Sequence, residues 1–315
     1  MAVFDLYGHD ISGSGSGSVF VDVTSFGAKG DGQTSDSTAI QSALNSLQTS
    51  GGIIFFPKGT YLITSSLLFY SKQTLWFENG ATLLQGAEID NLLRTFSDAS
   101  WTGYDGVHDC LIYGGTFDGG AYTVNNTLVC TGHAKNIVFE NCTFKNAYGT
   151  WHDLEINSSY NIKVINCDFE GSRKTGTNGE MLQIDGAANS AYYPWPNFNV
   201  DGTTSKYVDI QGCIFHDSGV VPGVGNHSQM GHSFVKIHDC IFDGLTSSRG
   251  AIVFAGGITN VDIFDNTFNA CTTGIASFGE QYFIHDNRFV DVETAAAWDN
   301  YDVFKNNMVN GTFVP

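Results

Sequence analysis

The chain is poor in proline, in basic side chains, in long apolar stretches and in paired cysteines. No apolar run reaches the roughly 18 residues that a membrane-crossing helix needs, so no membrane partner is expected. Lysine and arginine total 14 against 32 acidic residues, a formal charge of −18. The basic residues are scattered singly apart from Arg173-Lys174, and so acidic a chain repels a polyanion at long range, which argues against nucleic acid. An acidic surface suits a neutral glycan, or a charged one bridged by a cation. Seven cysteines are an odd number, and no two stand in a Cys-x-x-Cys pair. Residues 1–10 lack the basic start and apolar stretch of a secretory signal peptide. The expectation is therefore synthesis in a reducing cytoplasm, followed by association with a virion or release to the outside.

Five prolines stand against 37 glycines, a balance that fits short strands joined by many tight turns. Residues 11–18 read ISGSGSGS, a flexible linker by composition, so 1–18 is expected to be an arm and 19–315 a single domain. After the glycine-rich turn 26–32, Ser35, Asp36 or Ser37 is placed to cap a helix running to about Leu47, with Ile40, Ala43, Leu44 and Leu47 on one face. The run IIFFPKGTYLI (53–63) reads as strand, turn and strand.

A repeat follows. Alternating apolar residues, then a small or amide residue and x-Phe, return as IVFENCTF (137–144), IKVINCDF (162–169), VDIQGCIF (208–215), VKIHDCIF (235–242) and VDIFDNTF (261–268). Weaker copies are LIYGGTF (111–117), FIHDNRF (283–289) and VFKNNMV (303–309). Successive copies lie 20–27 residues apart, except for one gap of 46 that reads as one coil plus about 20 inserted residues. Units of this size cannot bury their apolar faces alone but can when stacked, which predicts an all-β, single-stranded parallel β-helix. Leucine-rich repeats share the period, but their asparagine-leucine consensus is missing. Stacking puts Cys142, Cys167, Cys213 and Cys240 in one column, continued by Asn266, Asn287 and Asn307. The expectation is an interior ladder of reduced thiols rather than a bridge or metal site, with the asparagines bonding their neighbours' amides.

FGAKGDGQTSDSTAIQSAL (26–44), followed by GGIIFFPKGTYLI (51–63), resembles the opening of the pectate-lyase-like superfamily of right-handed parallel β-helices. The resemblance implies a helix capping the open end of the stack. It also implies a carbohydrate polymer as partner, because the superfamily includes polysaccharide lyases, polygalacturonase-like hydrolases, uronate epimerases and phage tailspikes. Tailspike kinship would add a homotrimer. The hydrolase motifs Asn-Thr-Asp, Asp-Asp, Gly-His-Gly and Arg-Ile-Lys do not appear as a clean set, nor does the epimerase motif Tyr-Gly-x-Asp-Pro-His.

Two segments carry polar residues at alternate positions, HDLEIN (152–157) and EMLQID (180–185). Alternation turns Asp153, Glu155 and Asn157 outward on one and Met181, Gln183 and Asp185 outward on the other. Their offset of 28 sets Glu155 beside Gln183 and Asn157 beside Asp185. Asp153, Glu155 and Asp185 are the candidate catalytic carboxylates, because glycoside hydrolysis needs one carboxylic acid and one carboxylate, about 6.5–9.5 Å apart in inverting enzymes. The surrounding candidates for substrate contact are His152, Glu180 and Gln183. Tyr192, Tyr193 and Trp195 on the insertion suit sugar faces, or equally a small satellite core. His227, His232 and Arg249 are placed at the rim of the same cleft. No metal is assigned and no cofactor is required, although a lyase would enlist Ca²⁺ through the acidic cluster. Hydrolysis by paired carboxylates leads; a β-eliminating polysaccharide lyase and a non-catalytic glycan-binding adhesin or phage tail fibre are the alternatives.

Overall fold

The computed structural model describes residues 19–171, 173–175, 179–188, 197–278, 280–297 and 302–315. The 1–18 arm and Tyr192, Tyr193 and Trp195 lie outside these residues. The described chain winds as a right-handed β-helix with three parallel sheets of eleven, twelve and nine strands. One coil runs through Lys135–Glu140 in the first sheet, Thr143–Lys145 in the second and Leu154–Asn157 in the third. Each strand pairs with its equivalents in the coils before and after, and the terminal Asn307–Val309 and Thr312–Val314 pair is antiparallel.

The repeat phrase has a mechanical reading. A single residue at positive φ turns the chain from the first sheet to the second, and Asn141, Asn166, Gly212, Asp239, Asp265, Asp286 and Asn306 hold that corner. Asparagine, aspartate and glycine tolerate this conformation best. At Gly212 a Cβ would also lie 2.3 Å from Asn166 Oδ1. The next residue points inward, which makes the expected column. The Cys167 and Cys213 amides donate to the thiols of Cys213 and Cys240, each at 3.4 Å. The amides of Cys240, Asn266 and Asn287 then donate to Asn266, Asn287 and Asn307 side chains at 2.9–3.0 Å. All seven cysteines are free and buried. Two residues further on, the phenylalanines from Phe117 to Phe289 stack at 4.7–5.2 Å between ring centres.

The capping helix spans Ser37–Ser46 and buries Ile40, Ala43 and Leu44. Asp36 is its N-cap residue but makes no cap bond; its carboxylate accepts from the amides of Lys29 and Gly30 instead, tying down the glycine-rich turn. Gln41 exchanges hydrogen bonds with the backbone of Leu68, in the first strand of the third sheet. The helix thus satisfies an edge that would otherwise invite strand addition.

Candidate functional site

The third sheet departs from the regularity of the other two. The segments that lead into it vary in length, and its outward face carries the polar residues. Glu155 pairs in register with Cys130 on one side and Gln183 on the other, while Asn157 pairs with Asp185. Two residues of strand rise and a rung spacing of ~4.8 Å put Glu155 and Asp185 about 8 Å apart at Cα.

Glu155 is half-buried. Its Oε1 accepts from the Asn157 amide, and its Oε2 lies 3.3 Å from Thr127 Oγ1 and 3.5 Å from Cys130 Sγ. Burial pushes its carboxyl up to about 7, with the Asp185 charge adding to the rise and the Asn157 hydrogen bond opposing it. Asp185 is bound on every side. Its Oδ1 accepts from the Gly186 amide at 2.9 Å and from the Ser228 hydroxyl, and its Oδ2 accepts from Gln183 Nε2 at 2.9 Å. His232 stands behind it: Nδ1 accepts from the Ser205 amide at 3.0 Å, so Nε2 donates to Ser228 Oγ at 2.8 Å, and that hydroxyl in turn donates to Asp185. These hydrogen bonds fix the orientation of the Asp185 carboxyl group.

A second cluster adjoins the first. Glu180 is fully buried, with Oε1 paired to Arg249 Nη2 and Oε2 lying 2.8 Å from His227 Nε2 and 3.8 Å from His152 Nδ1. Gly225 leaves the space for it, since a Cβ there would lie 2.7 Å from Glu180 Cγ. Burial, then the charges of His227, Lys174 and Arg249, keep His152 neutral, well below the usual histidine range. Burial works the same way on His227, but Glu180 and Asp185 outweigh it and raise that imidazole.

Three expectations need correction. Asp153 does not face the cleft: it is wholly buried, 3.1 Å from the equally buried Lys174 Nζ. Burial raises its carboxyl to about 6 against the pull of Lys174. Met181 lies in the core. Both precede their strands, which begin at Leu154 and Leu182, so strand alternation does not yet apply to them. His232 is not on the rim either; it is buried and holds Asp185 from behind. The site is reached from solvent through Glu155, His227 and Arg249, the latter two with side chains 37% and 22% exposed. His152, Glu180, Gln183 and Asp185 form the floor beneath them.

Cys130, Thr127, Ser228 and Lys174 belong to the site but were not among the candidates. The 25-residue offset from Glu155 carries the signal for Cys130; nothing in the sequence marks the others. The base of the insertion is also placed. Asn199 and Asp201 bond the 101–103 segment, and His133 Nε2 lies 2.7 Å from the Asn199 carbonyl, so residues 199–201 pack on the connections from the third sheet to the first.

The family model for rhamnogalacturonase A/epimerase, pectate lyase-like, matches residues 20–297. Plasmin and fibronectin-binding protein A of Streptococcus pneumoniae (strain ATCC BAA-255 / R6) is 29% identical over 293 residues, covering 80% of this chain and 39% of its own length. The chain thus spans about two fifths of that relative. The crystal structure of this surface adhesin covers 90% of the chain and 75% of its own, with a TM-score of 0.74 at 24% identity. An exopolygalacturonase of Thermotoga maritima covers 87% and 73%, with a TM-score of 0.64 at 16% identity. The tailspike of E. coli bacteriophage HK620, solved with a pentasaccharide, covers 91% and 61%, with a TM-score of 0.59 at 13% identity. At these identities the structures share the fold.

Proposed function

The chain belongs to the rhamnogalacturonase A/epimerase, pectate lyase-like family, and from that premise we propose that it cleaves a polysaccharide by hydrolysing glycosidic bonds. One observation carries the reading. Glu155 is a solvent-reachable carboxyl whose pKa burial raises to about 7, diagonally across one rung from a second carboxyl group, Asp185, that Gly186, Gln183 and Ser228 hold in place by hydrogen bonds. A carboxyl raised to about 7 suits a general acid, and a second carboxyl group beside it can serve as the partner base. Glu155 donates its proton to the leaving glycosidic oxygen. Asp185 takes the proton of a water attacking the opposite face of the sugar, and the diagonal spacing leaves room for that water. Asn157, hydrogen-bonded to Glu155, fixes the orientation of the acid.

Glu155→Gln preserves the shape and the hydrogen bonds but cannot cycle a proton. Release of reducing ends from the true substrate should fall at least about 10²-fold, with the melting temperature within a degree or two of wild type. Full activity in this variant would end the assignment.

A non-catalytic glycan-binding adhesin is the second reading, favoured by the adhesin among the relatives. Retention of a polysaccharide with no new reducing ends, in wild type and Glu155→Gln alike, would select it. Absorbance near 235 nm that EDTA abolishes would instead select a Ca²⁺-assisted lyase.

A further inference from the structure

We propose that His152, Glu180 and His227 bind one divalent transition-metal ion of the zinc type. The three residues come from three successive coils: His152 before the strand Leu154–Asn157, Glu180 before Leu182–Asp185, and His227 just after Val224–Asn226. One donor atom from each lies within 4.8 Å of the other two. Donors around a single ion with bonds of ~2.1 Å sit roughly 3.0–3.4 Å apart. The Glu180 Oε2 contacts of 2.8 Å to His227 Nε2 and 3.8 Å to His152 Nδ1 bracket that range, so the donors would close on an ion with side-chain movement alone.

Glu180 supplies a further pointer. Its Oε2 is shut off from solvent and accepts no well-formed hydrogen bond, although His227 Nε2 is close. Its other oxygen is taken by Arg249. Arg249 therefore turns the carboxylate so that one oxygen faces the two imidazoles, the kind of outer partner that orients a metal-binding carboxylate. Binding would exchange the contacts that His152 Nδ1 makes with the Glu180 backbone, 2.9 Å to its carbonyl oxygen and 3.2 Å to its amide, for the ion. Two imidazoles with one carboxylate suit zinc and its first-row neighbours, whereas calcium and magnesium take oxygen donors. The His227 side chain is 37% exposed, which leaves an approach from solvent.

The same atoms admit a simpler account, an ion pair between Glu180 and a protonated His227, and the experiment separates the two. Full-length protein is stripped with EDTA, exchanged into chelator-free buffer and titrated calorimetrically with ZnCl₂, with CoCl₂ absorption as a second readout. The expected result is one equivalent bound, a raised melting temperature, and the visible absorption of four-coordinate cobalt. His227→Ala should weaken binding at least about 100-fold, and Arg249→Ala by about 10-fold, the smaller cost of losing an outer partner. His216→Ala, which removes a surface histidine flanked by Asp168 and Asp217, should leave zinc affinity unchanged. No saturable binding below millimolar zinc, or undiminished binding in a folded His227→Ala variant, would overturn the proposal. Because the titration uses no polysaccharide, its outcome is independent of the hydrolysis reading, which Glu155→Gln tests alone.

Discussion

The corner between the first and second sheets and the outward face of the third sheet are made by the same coils, yet they obey different rules. At the corner a single left-handed residue turns the chain in coil after coil, so the column behind it is filled by Cys142, Cys167, Cys213, Cys240 and then asparagines. Variation there is confined to a few residue types, and most side chains stack on copies of themselves. Around the third sheet the connections change length, and unlike residues meet: Glu155 beside Cys130 and Gln183, Glu180 beside His227 and Arg249. A turn of fixed length repeats chemistry and so builds stability. Turns of varied length mix chemistry, and a site arises where they converge.

The interior side of this comparison is tested hardest at Phe215, which stacks between Phe169 and Phe242 at 4.7 and 5.0 Å and is fully buried. Phe215→Ala opens a cavity in a continuous stack and should cost about 4 kcal/mol in urea denaturation. An effect below about 1 kcal/mol would show that the neighbouring coils simply close up.

On the site side, charges are buried, and they should matter only as pairs. Lys174→Met leaves the Asp153 carboxyl without its partner 3.1 Å away in a place with no solvent access. A loss of about 3 kcal/mol is expected, and a second change, Asp153→Asn, should recover most of it. Equal stability in the single and double variants would mean that the pair is held apart from the rest of the fold. These two substitutions bear on stability, whereas Glu155→Gln should bear on turnover alone; that contrast is the sharpest form of the comparison.

The smallest effect concerns the outer surface of the regular sheets. His216 Nε2 lies 3.0 Å from Asp168, and its Nδ1 lies 2.7 Å from Asp217, so both nitrogens act as donors and the ring is an imidazolium bridging two coils. Partial burial lowers its pKa, but the two carboxylates outweigh this, and the folded value is raised. A raised value stabilises the fold below the unfolded pKa of about 6.5, and the gain disappears as pH rises through the folded value. Solvent screening should keep the gain under about 1 kcal/mol. His216→Gln should therefore lower stability slightly at pH 5.5 and leave it unchanged at pH 9, as followed by thermal melts. A larger loss at pH 9 would reverse the sign and refute the bridge.

The stack, its capping helix, the cysteine-asparagine column and the pairing of Glu155 with Gln183 and Asn157 with Asp185 were all legible in the sequence. Each follows from a period: two residues within a strand, and one coil between strands. A period fixes which side chains are neighbours without reference to anything distant. It failed one residue outside its domain, at Asp153 and Met181, where the strand had not begun. That His152, Glu180, His227 and Arg249 gather at one cleft was expected from the sequence; the direct contacts of Glu180 with His227 and Arg249, the burial of Lys174 against Asp153, and the placing of His232 behind Asp185 were decided by tertiary structure alone. Apart from His232, which opens the strand His232–His238, these side chains lie on segments before and after the strands, where no repeat sets direction. Their positions follow from which loops pack against which, and from the need of each buried charge to find a partner.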